Sequence, residues 1–221
     1  MKKKTVALLL ACVMALGVAI GGTMAWLTDK TPEVTNTFTI GDIEIKMTET
    51  KKEDDTVMDT TQGAISQNFH FVPGQTLNKD PKVTVLEGSE ACWLFVQIEE
   101  KNNNQDESII GLTGRVIQWE VDSEWIQVPG TTDVWYIQQA AVADDGDANT
   151  VGVSYQVLTG SDGGQVTVNS NVDKTMVEGL KTNVPTLTFN AYAIQSGYLK
   201  DASGNDITTA AGAWEMVKPT P

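Results

Sequence analysis

Few residues of this chain could perform hydrolytic chemistry, and histidine is the scarcest of them. His70 is the single histidine in 221 residues. A zinc peptidase of the HExxH type needs two histidines one helical turn apart, and a Ser/His/Asp triad would also have to use His70. No GxSxG nucleophile elbow is present. The sequence therefore predicts no catalytic residue, although a pair of acids meeting across a cleft, as in glycoside hydrolysis, stays open.

One acidic segment has the spacing of a calcium loop. Asp145, Asp147 and Asn149 occupy alternate positions in DDGDAN, as oxygen ligands of Ca²⁺ do. However, Thr150 stands at the sixth position, where such a loop needs glycine, and Gln156 at the twelfth, where it needs a bidentate glutamate. A plain polar turn is favoured over this weak calcium site, and we expect neither a metal nor a cofactor.

Cysteine and the aromatic residues favour a buried core over chemistry. Cys92 lies in the apolar run ACWLFVQI, which predicts an inert buried thiol. Trp119, Trp125, Trp135 and Tyr136 could form a sugar-binding platform, but they alternate with Val and Ile, so burial is the favoured interpretation.

The N-terminus has the organisation of an export signal. Lysines at positions 2–4 precede an apolar run from Val6 to Ile20, which is shorter than the roughly 20 residues of a membrane span. Thr23 and Ala25 are small enough for the −3 and −1 pockets of a signal peptidase, which predicts cleavage before Trp26. Residues 1–25 are therefore expected to be a helical signal peptide, with an uncleaved anchor as the alternative.

The charge of the processed chain restricts its partners. The formal net charge is −14, and it becomes −17 when the three lysines of the leader are lost. Nucleic acid and anionic membranes are poor partners for such a protein, and membrane contact is expected only through an uncleaved signal. Cys12 leaves with the leader, so Cys92 has no partner for an internal disulfide.

Residues 26–221 are predicted to form a single domain of antiparallel strands arranged as a sandwich or barrel. Apolar alternation and turn residues indicate strands near 37–47, 69–72, 82–86, 92–100, 115–121, 125–128, 134–138, 151–158, 165–168 and 186–194. The run 92–100 is apolar on both parities, which predicts a central strand covered on both faces. Residues 48–63 are predicted to be a solvated loop, and SDGG at 161–164 a hairpin turn.

Two stretches indicate short peripheral helices. NVDKTMVEGL places Val172, Met176 and Leu180 at helical spacing, with Asp173 as the predicted cap. TTAAGAWEMV can form one or two turns that direct Trp214 inward.

Two sequence motifs resemble a known family. The first has GG, a small residue and Ala before the cut, then xLxD, then NTFxxGxIxI. The second is PGxxLxKDxxV. Their residues here are Gly21, Gly22, Thr23, Ala25, Leu27, Asp29, Asn36, Thr37, Phe38, Gly41, Ile43 and Ile45, then Pro73, Gly74, Leu77, Lys79, Asp80 and Val83. With these motifs the chain resembles the TasA/camelysin family, Gram-positive secreted proteins with a SipW-dependent type of signal peptide. The likeness covers residues 17–100 and 186–195.

The resemblance implies a jelly-roll β-sandwich and a structural role in the biofilm matrix or at the cell surface. In the family, subunits join into fibres when an N-terminal strand of one completes a sheet of the next, and such an exchange is physically reasonable because a free strand edge offers backbone donors and acceptors. Here that implies an assembly strand within 26–47, formed by Phe38, Ile40, Ile43, Ile45 and Met47. The implied partners are the signal peptidase during export, then further copies or other matrix proteins.

The expected function is therefore that of a secreted, non-enzymatic structural protein. Camelysin-like relatives are classed as metallopeptidases, which the single histidine argues against. A surface domain that binds glycans or another ligand is the remaining alternative.

Overall fold

The computed structural model describes residues 42–51, 55–60, 65–69, 72–103, 114–147, 152–181 and 183–219. The chain divides into two units, and all of these residues lie in the second, Gly41–Pro221.

The described part is mainly β, with antiparallel strand pairs in three sheets. The strands are β1 (Ile45–Thr50), β2 (Val57–Asp59), β3 (Thr76–Asn78), β4 (Lys82–Val85), β5 (Cys92–Lys101), β6 (Ile117–Gln118), β7 (Ile126–Gln127), β8 (Val134–Gln139), β9 (Val153–Gln156), β10 (Gln165–Val168) and β11 (Thr186–Gln195). The sheet orders are β2-β1-β4-β9, β3-β10-β6 and β11-β5-β8-β7.

Strand β5 is the centre of the third sheet, as its two-sided apolar pattern predicts. It pairs with β11 from Cys92↔Gln195 to Lys101↔Thr186, and with β8 along its first six residues. Leu94, Val96 and Ile98 are fully buried on one face, while Phe95 is fully buried on the other. A strand with paired edges and two covered faces is the most protected position in a sheet protein.

The main hydrophobic cluster lies on the even-numbered face of β5 and takes side chains from strands of all three sheets. Its buried members include Met47, Val83, Val85, Val166 and Val168. A second cluster covers the odd-numbered face of β5. The four-stranded sheet β11-β5-β8-β7 therefore has a core on both sides.

Two short helices cover the periphery at the predicted places. Helix α1 (Lys174–Leu180) begins at Asp173, whose Oδ1 accepts a 2.9 Å hydrogen bond from Met176 N. Helix α2 (Ala210–Val217) buries Trp214 against Phe95, with 5.4 Å between ring centroids. Neither of these two α-helices of the described ranges has the length and hydropathy needed to cross a bilayer.

Two local predictions are wrong. Residues 48–63 are not one solvated loop, because β1 continues to Thr50 and pairs with β2, and Glu49 of β1 is buried. The segment 161–164 does not close a hairpin: β9 pairs with β4 and β10 pairs with β3 and β6, so this turn passes from one sheet to another. Of the predicted strand 69–72, Phe69 and Val72 lie outside any strand, and residues 70 and 71 lie outside the described residues.

The crossing at 161–164 depends on its glycines. Ser161–Gly163 forms a single 3-10 turn, and Gly164 follows with φ at +142°. A Cβ on Gly164 would lie 2.3 Å from the carbonyl oxygen of Lys79. A hairpin and a crossing turn both use Gly and Asp, so their composition alone does not distinguish them.

Candidate functional site

The outer edge of β11 is the most unusual surface of the described residues. β11 is the last strand of its sheet, so within the described ranges it has a strand partner on one side only. It has ten residues, whereas the other edge strands, β2, β3, β6, β7 and β9, have two to four. Its sequence, TLTFNAYAIQ, contains no charged residue and no proline. Soluble proteins usually protect long edges with charges, proline or bulges, so this edge is open to another strand.

The direction of the backbone groups on this edge follows from two hydrogen bonds. Ile98 N donates to Asp133 O over 2.8 Å on the β8 side, so the pair Ile98↔Phe189 does not exchange hydrogen bonds. At the other end, Ser196 N donates to Ala91 O over 2.8 Å. Because the pattern alternates along an antiparallel ladder, the odd-numbered residues of β11 direct their N–H and C=O groups away from β5. These residues are Leu187, Phe189, Ala191, Ala193 and Gln195.

A groove of about 260 Å³ runs beside this edge. One wall is β11 from Phe189 to Tyr192, and the other is β1 from Ile45 to Met47 together with Thr60. β2 pairs only with the second half of β1, from Thr48 onward, and Met47 N donates instead to Thr60 Oγ1 over 3.0 Å. The groove therefore lies between two strand edges that have no strand partner there among the described residues.

The width of the groove restricts how a further strand can enter. Cα atoms of β1 and β11 approach within 8 Å. A strand hydrogen-bonded to both neighbours needs about 10 Å between them, because paired strands lie roughly 4.8 Å apart. An incoming strand must therefore displace the beginning of β1, or pair with the part of β11 that does not face β1.

The second half of β1 is fixed by a polar cluster, which we call the clamp: Glu49, Thr50, Gln67, Lys79 and Asp80. Lys79 Nζ lies 2.6 Å from Glu49 Oε1, and the two side chains are only 13% and 9% exposed. Gln67 Nε2 donates to the same carboxylate oxygen over 2.7 Å. A buried carboxylate is tolerated only when it is paired and hydrogen-bonded in this way.

Asp80 holds the end of the same strand. Its Oδ1 accepts from Thr50 N over 2.9 Å, and its Oδ2 accepts from Thr50 Oγ1 over 2.6 Å. The adjacent Lys and Asp of the PGxxLxKD motif thus both attach β1 to the turn after β3. The clamp holds the second half of β1, while the first half borders the groove.

The predicted assembly residues are divided by this arrangement. Ile45 and Met47 lie in β1 and pair with Val85 and Val83 of the same chain. Ile43 packs against the main cluster with them. Phe38 and Ile40 lie outside the described residues.

The other predicted positions are dispersed. Asp145 and Asp147 are exposed after β8, and Asp147 N donates to Asp145 Oδ1 over 2.8 Å, as in a polar turn. Thr23, Ala25, Trp26, His70 and Asn149 lie outside the described residues. Across the described ranges, no three His, Cys, Asp or Glu side chains are grouped so that they could hold a metal ion.

Cys92 is fully buried, as expected, and burial raises the pKa of its thiol from 9.0 to about 11. At neutral pH the group is therefore a protonated thiol and a poor nucleophile.

The tryptophans are mostly core residues. Trp119 and Trp125 are 9% and 5% exposed. Trp119 lines a polar cleft of about 560 Å³, but its indole nitrogen donates to Glu100 Oε1 over 2.5 Å and its ring lies 4.5 Å from the Arg115 guanidinium carbon. The Trp135 ring packs edge-on against the Trp119 ring, with 5.9 Å between the ring centroids. A sugar could stack on Trp119 only after Arg115 moved, so this cleft does not favour the platform.

Sequence reasoning missed the clamp and the β11 edge. The clamp joins residues up to thirty positions apart, and the only sequence signal was the KD pair of the motif. The signal for the edge was the absence of charge over ten residues of a strand in an acidic protein.

Comparison of the sequence with family models and with curated proteins, and of the fold with solved structures, found no match. The function is therefore inferred from the motifs and from the geometry of the β11 edge.

Proposed function

We propose that this chain is a secreted structural protein of the cell surface or extracellular matrix that assembles through the outer edge of β11. The N-terminal segment 26–41 of one copy is the strand that docks on the β11 edge of the next. In this proposal the chain is a member of the TasA/camelysin family, its sheets form a jelly-roll-like sandwich, and it has no enzymatic activity.

The observation that carries the proposal is the long, uncharged edge of β11, which has no strand partner among the described residues. Backbone hydrogen bonds along such an edge give affinity, and the pockets beside it select side chains of the added strand. The groove beside Phe189 and Ala191 offers such a pocket, with Ile45 and Met47 as its apolar opposite wall.

The sequence before β1 has the composition of a complementary strand. TNTFTI at 35–40 contains neither charge nor proline, and its last four residues alternate Thr with Phe or Ile. Such alternation suits a strand with one apolar and one polar face. The segment also follows the predicted cleavage site before Trp26, so export and processing would make its free end available.

The clamp explains why the same segment can dock elsewhere without unfolding its own subunit. Glu49 and Thr50 hold the second half of β1 through Lys79 and Asp80. A displacement of the residues before Ile45 would leave these contacts in place.

The test is assembly of the processed protein, residues 26–221, compared with a variant that lacks 26–41. We expect fibres from the first by electron microscopy and monomers from the second by size-exclusion chromatography. The deletion stops before Ile43 because removal of Met47, which is 9% exposed, would damage the core.

A variant with residues 26–41 in shuffled order is the matched control, since it keeps length and composition while it changes the alternation. Unchanged circular dichroism of all variants establishes that the sheets are folded. Fibres from the deletion variant, or a wild-type protein that stays monomeric at every concentration, would refute the proposal.

A further inference from the structure

An amine, a carboxylate and a carboxamide meet inside the clamp. Lys79 Nζ and Gln67 Nε2 lie 2.6 and 2.7 Å from one oxygen, Glu49 Oε1. Gln67 Nε2 also donates to the backbone oxygen of Thr50 over 3.0 Å, which holds the carboxamide in place. A nucleophile, a proton carrier and an acyl donor are the three components of an acyl-transfer reaction.

The surroundings of the amine restrict its contact with water. The Phe69 and Phe189 ring centroids lie 5.6 and 5.2 Å from Lys79 Nζ, and the Lys79 side chain is 13% exposed. A site shielded in this way strengthens the interactions between its polar groups and suppresses competing hydrolysis.

We infer that Lys79 and Gln67 become joined by an intramolecular isopeptide bond, with Glu49 as the proton carrier. The Lys79 ammonium first transfers a proton to Glu49, which leaves a neutral amine and a neutral acid. The amine nitrogen then bonds to Gln67 Cδ, and the bond between Cδ and Nε2 breaks. The amine then loses a second proton. Glu49 passes both protons to the departing nitrogen, which leaves as ammonium, and Glu49 ends as a carboxylate.

The reaction needs no oxidant and occurs once in each chain. Two factors favour the reaction: holding the reactants together replaces a bimolecular encounter, and the loss of ammonia makes the step irreversible in practice.

The bond would attach the segment 65–69 to the turn after β3 and keep Glu49 between them. It would strengthen the end of β1 that stays in its own subunit. It does not depend on strand docking, since none of its three groups belongs to the outer edge of β11.

Intact mass measurement of the purified, folded protein tests the inference. The wild type should be lighter than its sequence by about 17 Da, the mass of one ammonia. Trypsin should leave Lys79 uncleaved, giving one peptide from Glu53 to Lys82 with the same mass loss, in place of separate peptides that end at Lys79 and Lys82.

Three variants assign the reaction. Lys79→Arg removes the nucleophile, and Glu49→Gln removes the proton carrier while keeping the shape of the side chain. Both variants should have the full sequence mass, and trypsin should cleave both after residue 79. Lys200→Arg is the matched control, because Lys200 pairs with Asp206 at the same 2.6 Å but is 55% exposed. That control should keep the mass loss.

A wild-type protein with its full sequence mass would overturn the inference directly, whether or not the variants fold. A mass loss that persists in Lys79→Arg would overturn it as well, since the loss would then arise elsewhere. Either result leaves the fibre assay unaffected, so this inference and the proposed function fail separately.

Discussion

Strands β5 and β11 are neighbours of equal length, yet the fold uses them in opposite ways. They pair along all ten residues. β5 has a second partner in β8 and is buried along most of its length, whereas the residues of β11 are partly or fully exposed and its outer edge has no strand partner in the described ranges.

The difference shows that hydrophobic strand content does not by itself decide the role of a strand. Both strands contain Leu, Ile and two aromatic residues. Position in the sheet decides whether these residues stabilise one subunit or remain available to another. We therefore expect changes in β5 to alter stability and changes at the outer edge of β11 to alter assembly.

The largest stability effect is expected in β5. Phe95 is fully buried and packs against Trp214 and Tyr136. Phe95→Ala should lower the free energy of unfolding by about 3–5 kcal/mol, measured by urea denaturation, because it removes a large side chain and leaves a cavity. Thr188→Ala on the exposed face of β11 is the comparison and should change it by less than about 0.5 kcal/mol. Equal losses would remove the distinction between the two strands.

Loss of the clamp should have the next largest effect. Lys79→Ala removes the side chain that attaches the buried Glu49 carboxylate to the turn after β3, either as an ion pair or through the inferred amide, and we expect a loss of about 2–3 kcal/mol in urea unfolding. The same change at Lys181, whose pair with Glu178 is exposed, should cost less than about 0.5 kcal/mol. A clamp variant as stable as the Lys181 variant would mean that β1 is held mainly by its pairing with β4.

Burial of the first residue of β5 should produce a pH dependence. The pKa of the Cys92 thiol is raised to about 11 from 9.0, so the folded state favours the protonated form. The resulting stability is fully present below pH 9 and is lost as the pH rises towards 11, by about 2 kcal/mol. Urea midpoints measured from pH 8 to pH 11 should fall more steeply for the wild type than for Cys92→Ala. Parallel slopes would contradict the burial of this end of β5.

The smallest effect is expected at the periphery. Asp173 caps α1 through one hydrogen bond to Met176 N. Asp173→Ala should cost about 1 kcal/mol, whereas Asp173→Asn, which keeps a capping oxygen, should cost a few tenths. Denaturation of both variants measures the difference. A loss in Asp173→Ala as large as that in Phe95→Ala would place α1 in the central folding unit.

Sequence patterns predicted elements whose signal is local. The two-sided apolar run of β5 and the cap at Asp173 need only neighbouring residues to be recognised, and both predictions are confirmed. The turn at 161–164 was also recognised from local residues, but its interpretation as a hairpin was wrong. Which strands β9 and β10 pair with depends on residues far away in the sequence. Glu49 was placed in a loop because its polarity is compensated by Lys79, thirty residues away.

The candidate site was harder to predict than the fold. The sequence TLTFNAYAIQ does not reveal that β11 is the last strand of its sheet, since the position of β11 depends on where β5 and β8 pair. The sequence did supply the absence of charge, and the motif supplied Lys79 and Asp80. What each of them contacts required the three-dimensional arrangement.

The most direct test of the central claim changes one outward backbone group of β11. Ala191 directs its N–H away from β5, so Ala191→Pro removes a donor from the outer edge without removing one from the pairing with β5. Ala191→Val adds similar volume and keeps the N–H group.

Fibre formation by the processed proteins, followed by electron microscopy after circular dichroism has established their fold, compares the two variants. The account predicts that Ala191→Val still forms fibres, in reduced number because its methyl groups narrow the groove, and that Ala191→Pro remains monomeric. Fibres of wild-type abundance from folded Ala191→Pro would contradict assembly through this edge.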